Sequence, residues 1–346
     1  MLTAFIPPVP SPTILRLPKC NIHTHLEGSV RPQTFLELAA QQNLSLPFDP
    51  SQILDYIQVN GSETSLVEYL DKIGVNYPIL KDSTAQRRTA FEAVEDAYYD
   101  GVIYIELRAG PALHSSSGIK VDSCIENILA GLKDAEDKYG IVTSLIVAGL
   151  RNHDPKVNAD LAKSACWYRD QGVVGFDLAG DEAGFPASIH QEAFEIVRDA
   201  GLPYTIHAGE ASGAENVRYA VEVLGAARIG HGVRSIESTY VMELLRERQV
   251  LLEVCPTSNV HTGTVPSIQS HPVKILYDFG IPVSINDDDP VTSRTRTSNE
   301  LMLMHSVFGM TMEDLIEIQL TTLEHSFYSD RVVIEELKNK VKEIES

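Results

Sequence analysis

Lys19-Cys-Asn-Ile-His-Thr-His25 is the stretch on which the fold turns. It is short, carries Cys20 and Ile22 among polar residues, and ends in His-Thr-His. A doubly wound sheet that binds nucleotides more often follows its first strand with a glycine-rich phosphate loop. Here the strand runs into His-Thr-His instead. Seven more short runs rich in β-branched residues follow, at 102–108, 142–148, 173–179, 203–207, 228–231, 250–255 and 281–286. Such runs suit strands buried on both faces of a parallel sheet. Helix-period segments lie between them. The segment 123–138 puts Ile125, Ile128, Leu129 and Leu132 on one stripe, and 190–200 repeats the pattern up to a stop at Gly201. Segments 215–224, 240–249 and 273–279 continue the alternation. Strands alternating with helices in this way predict an α/β fold, a (β/α)8 TIM barrel.

The first two runs are far apart. Helical patterns at 34–42, 65–73 and 85–99 fill the gap, so extra helices are expected after strand one, over the catalytic mouth of the barrel. Leu66, Tyr69, Leu70 and Ile73 fall at helical spacing there. They read either as an ordinary core stripe or as an apolar lid over a pocket. Further helices are expected at the C-terminus, at 298–309, 312–323 and 335–345, the last a surface helix of mixed Glu and Lys. No composition break divides the chain, so residues 1–346 are expected to form a single domain.

The 346 residues carry 48 acidic against 28 basic side chains, a formal net charge of −20. Such a surface repels phosphate backbones and anionic bilayers, so neither a nucleic-acid nor a membrane partner is expected. Cys20, Cys124, Cys166 and Cys255 are widely spaced and form no CxxC pair, which argues against a zinc finger or a secreted disulfide framework. The proline-broken stretch 1–18 lacks the basic and apolar regions of a signal peptide. A cytoplasmic protein is the simplest expectation.

The polar residues fall at strand ends. His23 and His25, two apart, share one face of an extended strand. His207 ends the fifth run and Glu210 follows three residues later; His231 ends the sixth between two glycines. Asp287, Asp288 and Asp289 follow the eighth. Alone, three consecutive aspartates read as a solvated acidic turn. In a barrel, all these strand ends meet at one mouth, where imidazoles and carboxylates could share a cation. Three imidazoles with one carboxylate suit zinc, which lowers the pKa of a bound water toward about 7. A carboxyl such as Glu210 can then move a proton. The residues alone imply metal-assisted hydrolysis and do not name the bond.

With these residues the chain resembles the adenosine deaminase family of the amidohydrolase superfamily. The matching motifs are Pro18-Lys-Cys-Asn-Ile-His-Thr-His-Leu-Glu-Gly28, Asp177-Leu-Ala-Gly-Asp-Glu182, His207-Ala-Gly-Glu210, Arg228-Ile-Gly-His-Gly232, Thr257-Ser-Asn259 and Ser284-Ile-Asn-Asp-Asp-Asp-Pro290, in family order. The resemblance implies one Zn2+ per chain, held by His23, His25, His207 and Asp288. It implies hydrolytic deamination of adenosine and 2′-deoxyadenosine, with zinc-activated hydroxide attacking purine C6 and ammonia leaving. Glu210 would protonate N1, and His231 would orient and help deprotonate the water. Asp289 would meet N7, the Gly180 N–H would meet N3, and Glu27 would face the ribose.

Two departures bear on the substrate. Glu27 stands where many adenosine deaminases carry Asp, and Asp287 where Thr or Ser is common; Asp287 reads as solvated or as the partner of a nearby base. Glu27 keeps open a deaminase of adenine or of a 5′-modified adenosine such as aminodeoxyfutalosine. A catalytically dead purine-binding module is the non-enzyme alternative, disfavoured because every ligand and acid position is filled. A two-metal barrel bridged by a carboxylated lysine is disfavoured because Leu178-Ala-Gly180 offers none. His114, His153, His190, His261, His271, His305 and His325 read as structural or surface residues, Trp167 as packing a helix on the barrel wall, Asp177 as a partner of a ligand, and Glu182 as either a helix cap or pocket lining.

Overall fold

In a computed structural model that describes residues 4–343, eight parallel strands alternate with helices. The strands are β1 (Lys19–His25), β2 (Val102–Ala109), β3 (Val142–Leu150), β4 (Val173–Ala179), β5 (Thr205–Ala208), β6 (Arg228–His231), β7 (Leu251–Val254) and β8 (Val283–Ile285). They pair in sequence order as two four-stranded halves. Single bridges join the halves, Phe176 to Tyr204 between β4 and β5, and Thr24 to Asp288 between β1 and the end of β8. The second seam is tight: His25 N–H donates to Asp288 O at 2.7 Å and Asp288 N–H to His23 O at 3.0 Å. This is the expected (β/α)8 barrel.

The core forms because the strands alternate apolar residues toward the helices with mixed residues toward the barrel axis. Ile22, Ile105, Leu145, Phe176, Ile206, Ile229, Leu252 and Ile285 are all buried. Burying one such side chain contributes roughly 1.5–3 kcal/mol. The helix Pro155–Trp167, between β3 and β4, was not anticipated. Its core face is Ala159, Leu161, Ala162 and Ala165, small residues that give a weak apolar stripe. Its start is nonetheless marked, since the Asp154 side chain accepts from Lys156 N–H and Pro155 occupies the first turn. Trp167, at its end, is 76% exposed rather than packed on the barrel wall. Helical periodicity puts it on the face opposite that stripe.

The insertion between β1 and β2 contains the helices Pro32–Gln41, Leu66–Gly74 and Ser83–Tyr99, and builds its own small cores. Ser65 caps the second of these by accepting from Glu68 N–H. Leu66, Tyr69 and Ile73 pack with Val59 and Ala4. At the other end, helices Thr297–Phe308, Met312–Glu324 and Arg331–Lys342 cover the barrel base and side. Of the last expected helix, residues 344 and 345 lie outside the described residues, as do 1–3 at the opposite end. Among the described residues, no helix is long and apolar enough to cross a membrane and no cysteines are paired.

Candidate active site

The C-terminal ends of the strands surround a cavity of about 660 Å³, within the range of small-molecule sites. His25, Glu27, Gly180, His207, Glu210, His231, Asp288 and Asp289 all line it. So do Leu66, Tyr69, Leu70 and Ile73 from the inserted helix, which thus serve as core stripe and pocket wall together. His23 lies beneath, fully buried.

One ligand atom from each of His23, His25, His207 and Asp288 lies within 4.8 Å of the others. His25 Nε2 is 3.3 Å from His207 Nε2, and Asp288 Oδ1 is 3.4 Å from Nε2 of both His23 and His25. Donors arranged tetrahedrally about one ion at ~2.1 Å stand about 3.4 Å apart. The outer nitrogens are already used. His23 Nδ1 faces Glu253 Oε2 at 2.9 Å, and His207 Nδ1 faces Asp177 Oδ2 at 2.9 Å. Each carboxylate takes the Nδ1 proton, so each Nε2 lone pair points inward. Nε2 of His23 is buried with no hydrogen-bond partner. A buried polar atom of this kind needs a partner, and a cation among these donors supplies it.

Behind the histidines the barrel floor is ionic. Arg108 donates to Asp177 Oδ2 at 2.9 Å, to Glu253 Oε2 at 2.8 Å and to Ile22 O at 2.7 Å. Arg228 completes the group, 2.7 Å from Glu253 Oε1 and 2.6 Å from Glu106 Oε2. Burial pushes Asp177 and Glu253 toward neutrality, but His207 with Arg108 for the first, and Arg108 with Arg228 for the second, outweigh it and hold both ionised.

The aspartates after β8 are not a solvated turn. Asp287, Asp288 and Asp289 are 6%, 3% and 2% exposed. Asp287 is held by neutral donors rather than by an arginine; it accepts from Asn21 Nδ2 at 2.7 Å and Thr297 Oγ1 at 2.9 Å. Burial raises its pKa to about 6. Asp288 and His231 both have φ of +59°, a left-handed backbone that costs a non-glycine residue roughly 1–2 kcal/mol. Such strain clusters at functional sites.

The protonation of His231 can be traced to a backbone donor. Val273 N–H donates to His271 Nδ1 at 3.1 Å, which leaves the His271 proton on Nε2, 3.1 Å from Asn259 Oδ1. The Asn259 amide then donates to His231 Nδ1 at 3.1 Å. Neutral His231 therefore carries its proton on Nε2, which faces Glu210 Oε2 at 3.6 Å. Glu210 is buried, and burial, then Asp288 and Glu182, raises its carboxyl well above the usual range. Glu182 neither caps a helix nor lines the cavity. Its carboxylate accepts from the N–H groups of Gly209, Glu210 and Ser212 and from Asn216 Nδ2, at 2.8–3.0 Å. That clamp fixes the loop carrying Glu210.

At the far end, Glu27 Oε1 accepts from Gly110 N–H at 2.7 Å and lies 2.8 Å from His114 Nε2. His114 is thus a buried partner of a cavity residue, not a surface residue.

The profile of adenosine deaminases matches residues 18–344. The chain belongs to the adenosine deaminase family. An adenosine deaminase of Clostridium botulinum is 37% identical over 331 residues, 95% of this chain and 98% of that protein. The crystal structure of an adenine deaminase from Arthrobacter aurescens superposes with a TM-score of 0.87 at 27% identity, over 94% of this chain and 98% of that one. A zinc-bound amidohydrolase from Burkholderia ambifaria superposes with a TM-score of 0.84 at 25% identity, covering 96% and 94%. As a member of this metal-dependent family, the chain is a hydrolytic deaminase of adenosine-like purines.

Proposed function

We propose that the chain, acting as one unit over residues 1–346, converts adenosine and 2′-deoxyadenosine to inosine and 2′-deoxyinosine with release of ammonia. The observation that carries this is the meeting, at one cavity, of a four-donor cluster with a buried carboxyl, Glu210, shifted toward its protonated form, and the imidazole of His231. His23, His25, His207 and Asp288 would hold the ion, and three nitrogens with one carboxylate favour zinc. The metal supplies a water acidic enough to be a nucleophile near neutral pH.

The chain's own residues do the rest. Glu210 gives a proton to purine N1, which draws electron density from C6 and opens it to attack. His231 turns Nε2–H toward the oxygen that gains charge at C6, so it orients and stabilises. The tautomer traced above turns an N–H rather than a lone pair toward that oxygen, which supports the orienting role over the base role. Asp289, buried beside Asp288 and held protonated chiefly by burial, faces N7, and Gly180 N–H faces N3. Glu27, held from behind by His114 and the Gly110 N–H, receives the sugar. The titratable residues lining the cavity are acids, histidines and tyrosines, with no Lys or Arg among the described residues. A 5′-phosphate would meet repulsion there, so the substrate is a nucleoside rather than a nucleotide. The four free thiols suit a cytoplasmic enzyme.

A 5′-substituted adenosine is the second reading, favoured by the longer Glu27 at the sugar end; adenine is the third, favoured by the Arthrobacter likeness. A deamination panel over adenosine, 2′-deoxyadenosine, adenine and 5′-substituted adenosines separates them. Adenosine is expected to have the highest kcat/KM; turnover of adenine with none of adenosine reverses the order. Elemental analysis of protein kept from chelators is expected to find one zinc per chain, and a clear shortfall with full activity would remove the metal from the reading.

A further inference from the structure

We propose that Tyr69 is a positioning residue: its hydroxyl latches the inserted helix Leu66–Gly74 to Asp289 and so ties closure of the cavity to recognition of the purine. The inference rests on Asp289 being the base contact.

Packing alone does not call for a tyrosine here. The ring is 1% exposed among Leu66, Ile73 and Val59, where phenylalanine would fit. A buried phenol needs a hydrogen-bond partner, and this one reaches across the cavity wall to find it. Tyr69 Oη–H donates to Asp289 Oδ2 at 3.0 Å, and Ser293 Oγ lies 2.8 Å from the same hydroxyl. Among the described residues no other hydrogen bond to the Asp289 carboxyl is seen. Its second oxygen, Oδ1, is buried without a partner. It lies against Gly28, where an added Cβ would fall 1.8 Å from it. The carboxyl is therefore trapped between a residue that must lack a side chain and a tyrosine on the inserted helix. With Oδ1 shut against Gly28, the phenol on Oδ2 sets the angle at which the carboxyl meets the cavity that Asp289 and Tyr69 both line. Withdrawing the helix would release the carboxyl to rotate, and the base would lose an aligned contact. Asp71 and Leu70 sit on the same helix and face the same cavity, so the segment that admits substrate is the one that sets the contact.

Tyr69→Phe keeps the ring and deletes the latch. The loss of one hydrogen bond to a carboxyl is expected to lower kcat/KM for adenosine about tenfold, mainly through KM. Affinity for inosine should fall by a similar factor, while affinity for 7-deazainosine, which lacks N7, should stay within about twofold of wild type. Equal losses for both ligands would make Tyr69 a packing residue only and overturn the proposal. A second measurement needs no purine. Amide exchange across residues 66–74 should quicken in Tyr69→Phe and in Asp289→Ala alike; unchanged exchange in both would refute the latch. Wild-type protein that neither deaminates adenosine nor binds inosine would instead sink the purine reading, and the exchange result would still decide the latch.

Discussion

Glu210→Gln is expected to lower kcat by about 10²–10⁴-fold while leaving the metal content unchanged. Gln has the shape of Glu and can still offer an N–H, but it cannot hand over a proton. General acid catalysis by a placed carboxyl is worth about that range, or roughly 3–5 kcal/mol in the barrier. The site is built to keep this proton available. Burial first, then Asp288 and Glu182, raises Glu210 above an ordinary carboxyl. Activity that needs the protonated form thus persists to higher pH than an ordinary carboxyl would allow, and falls as pH rises through the raised pKa. Glutamine at 210 should abolish that alkaline dependence along with the rate. Steady-state kinetics beside elemental analysis checks this. Turnover within threefold of wild type would mean that another group protonates N1.

Arg108→Met is expected to have the largest effect on stability. The guanidinium is fully buried and donates to two carboxylates and a carbonyl. Methionine fills much of the space but leaves Asp177 and Glu253 short of a cation. Breaking a buried ionic group from one side destabilises by about 3–5 kcal/mol, against a total of roughly 5–15 kcal/mol. The effect should also reach the ion. Asp177 and Glu253 orient His207 and His23, and disturbing such partners weakens metal affinity about 10–100-fold. The pH dependence has a definite sign. Folding depresses both carboxyl pKa values, so their stabilisation is present above an unfolded value of about 4 and is lost as pH falls through the folded ones. Without Arg108 the folded values rise, and acid unfolding should begin at higher pH. Urea unfolding and acid titration followed by circular dichroism test both; a change below about 1 kcal/mol would show that Arg228 alone satisfies the floor.

What the sequence discloses about this site depends on where a charge sits in a strand. His23, His25, His207, His231 and Asp288 terminate apolar runs, so their convergence follows once the barrel is recognised. Glu106 and Glu253 lie within such runs, while Arg108 closes one and Arg228 opens another. A charge inside a fully buried strand must be paired, which is a legible signal, but the partners come from β2, β6 and β7 and only closure of the ring brings them together. Asp177 was identified as the partner of a ligand. Glu182, Asn259 and His271 act through backbone groups and each other, contacts with no spacing rule. Asp287 reads as solvated because charge runs are usually exposed; here it is buried and held by Asn21 and Thr297. The Pro155–Trp167 helix escaped periodicity because alanine marks a face weakly, and Tyr69 passed as merely apolar because its hydroxyl is invisible to a hydropathy pattern.

The ring is sewn shut where the first strand meets the residue after the last. The bonds between 23–25 and 288 join donors from opposite ends of the chain. A nascent polypeptide that has emerged through β7 already displays three of the four expected donors, yet it has nothing to align them against. The ion site therefore comes into being only once Asp288 has been made. A product truncated before Asp288 would lose the ion site and the barrel seam in one stroke.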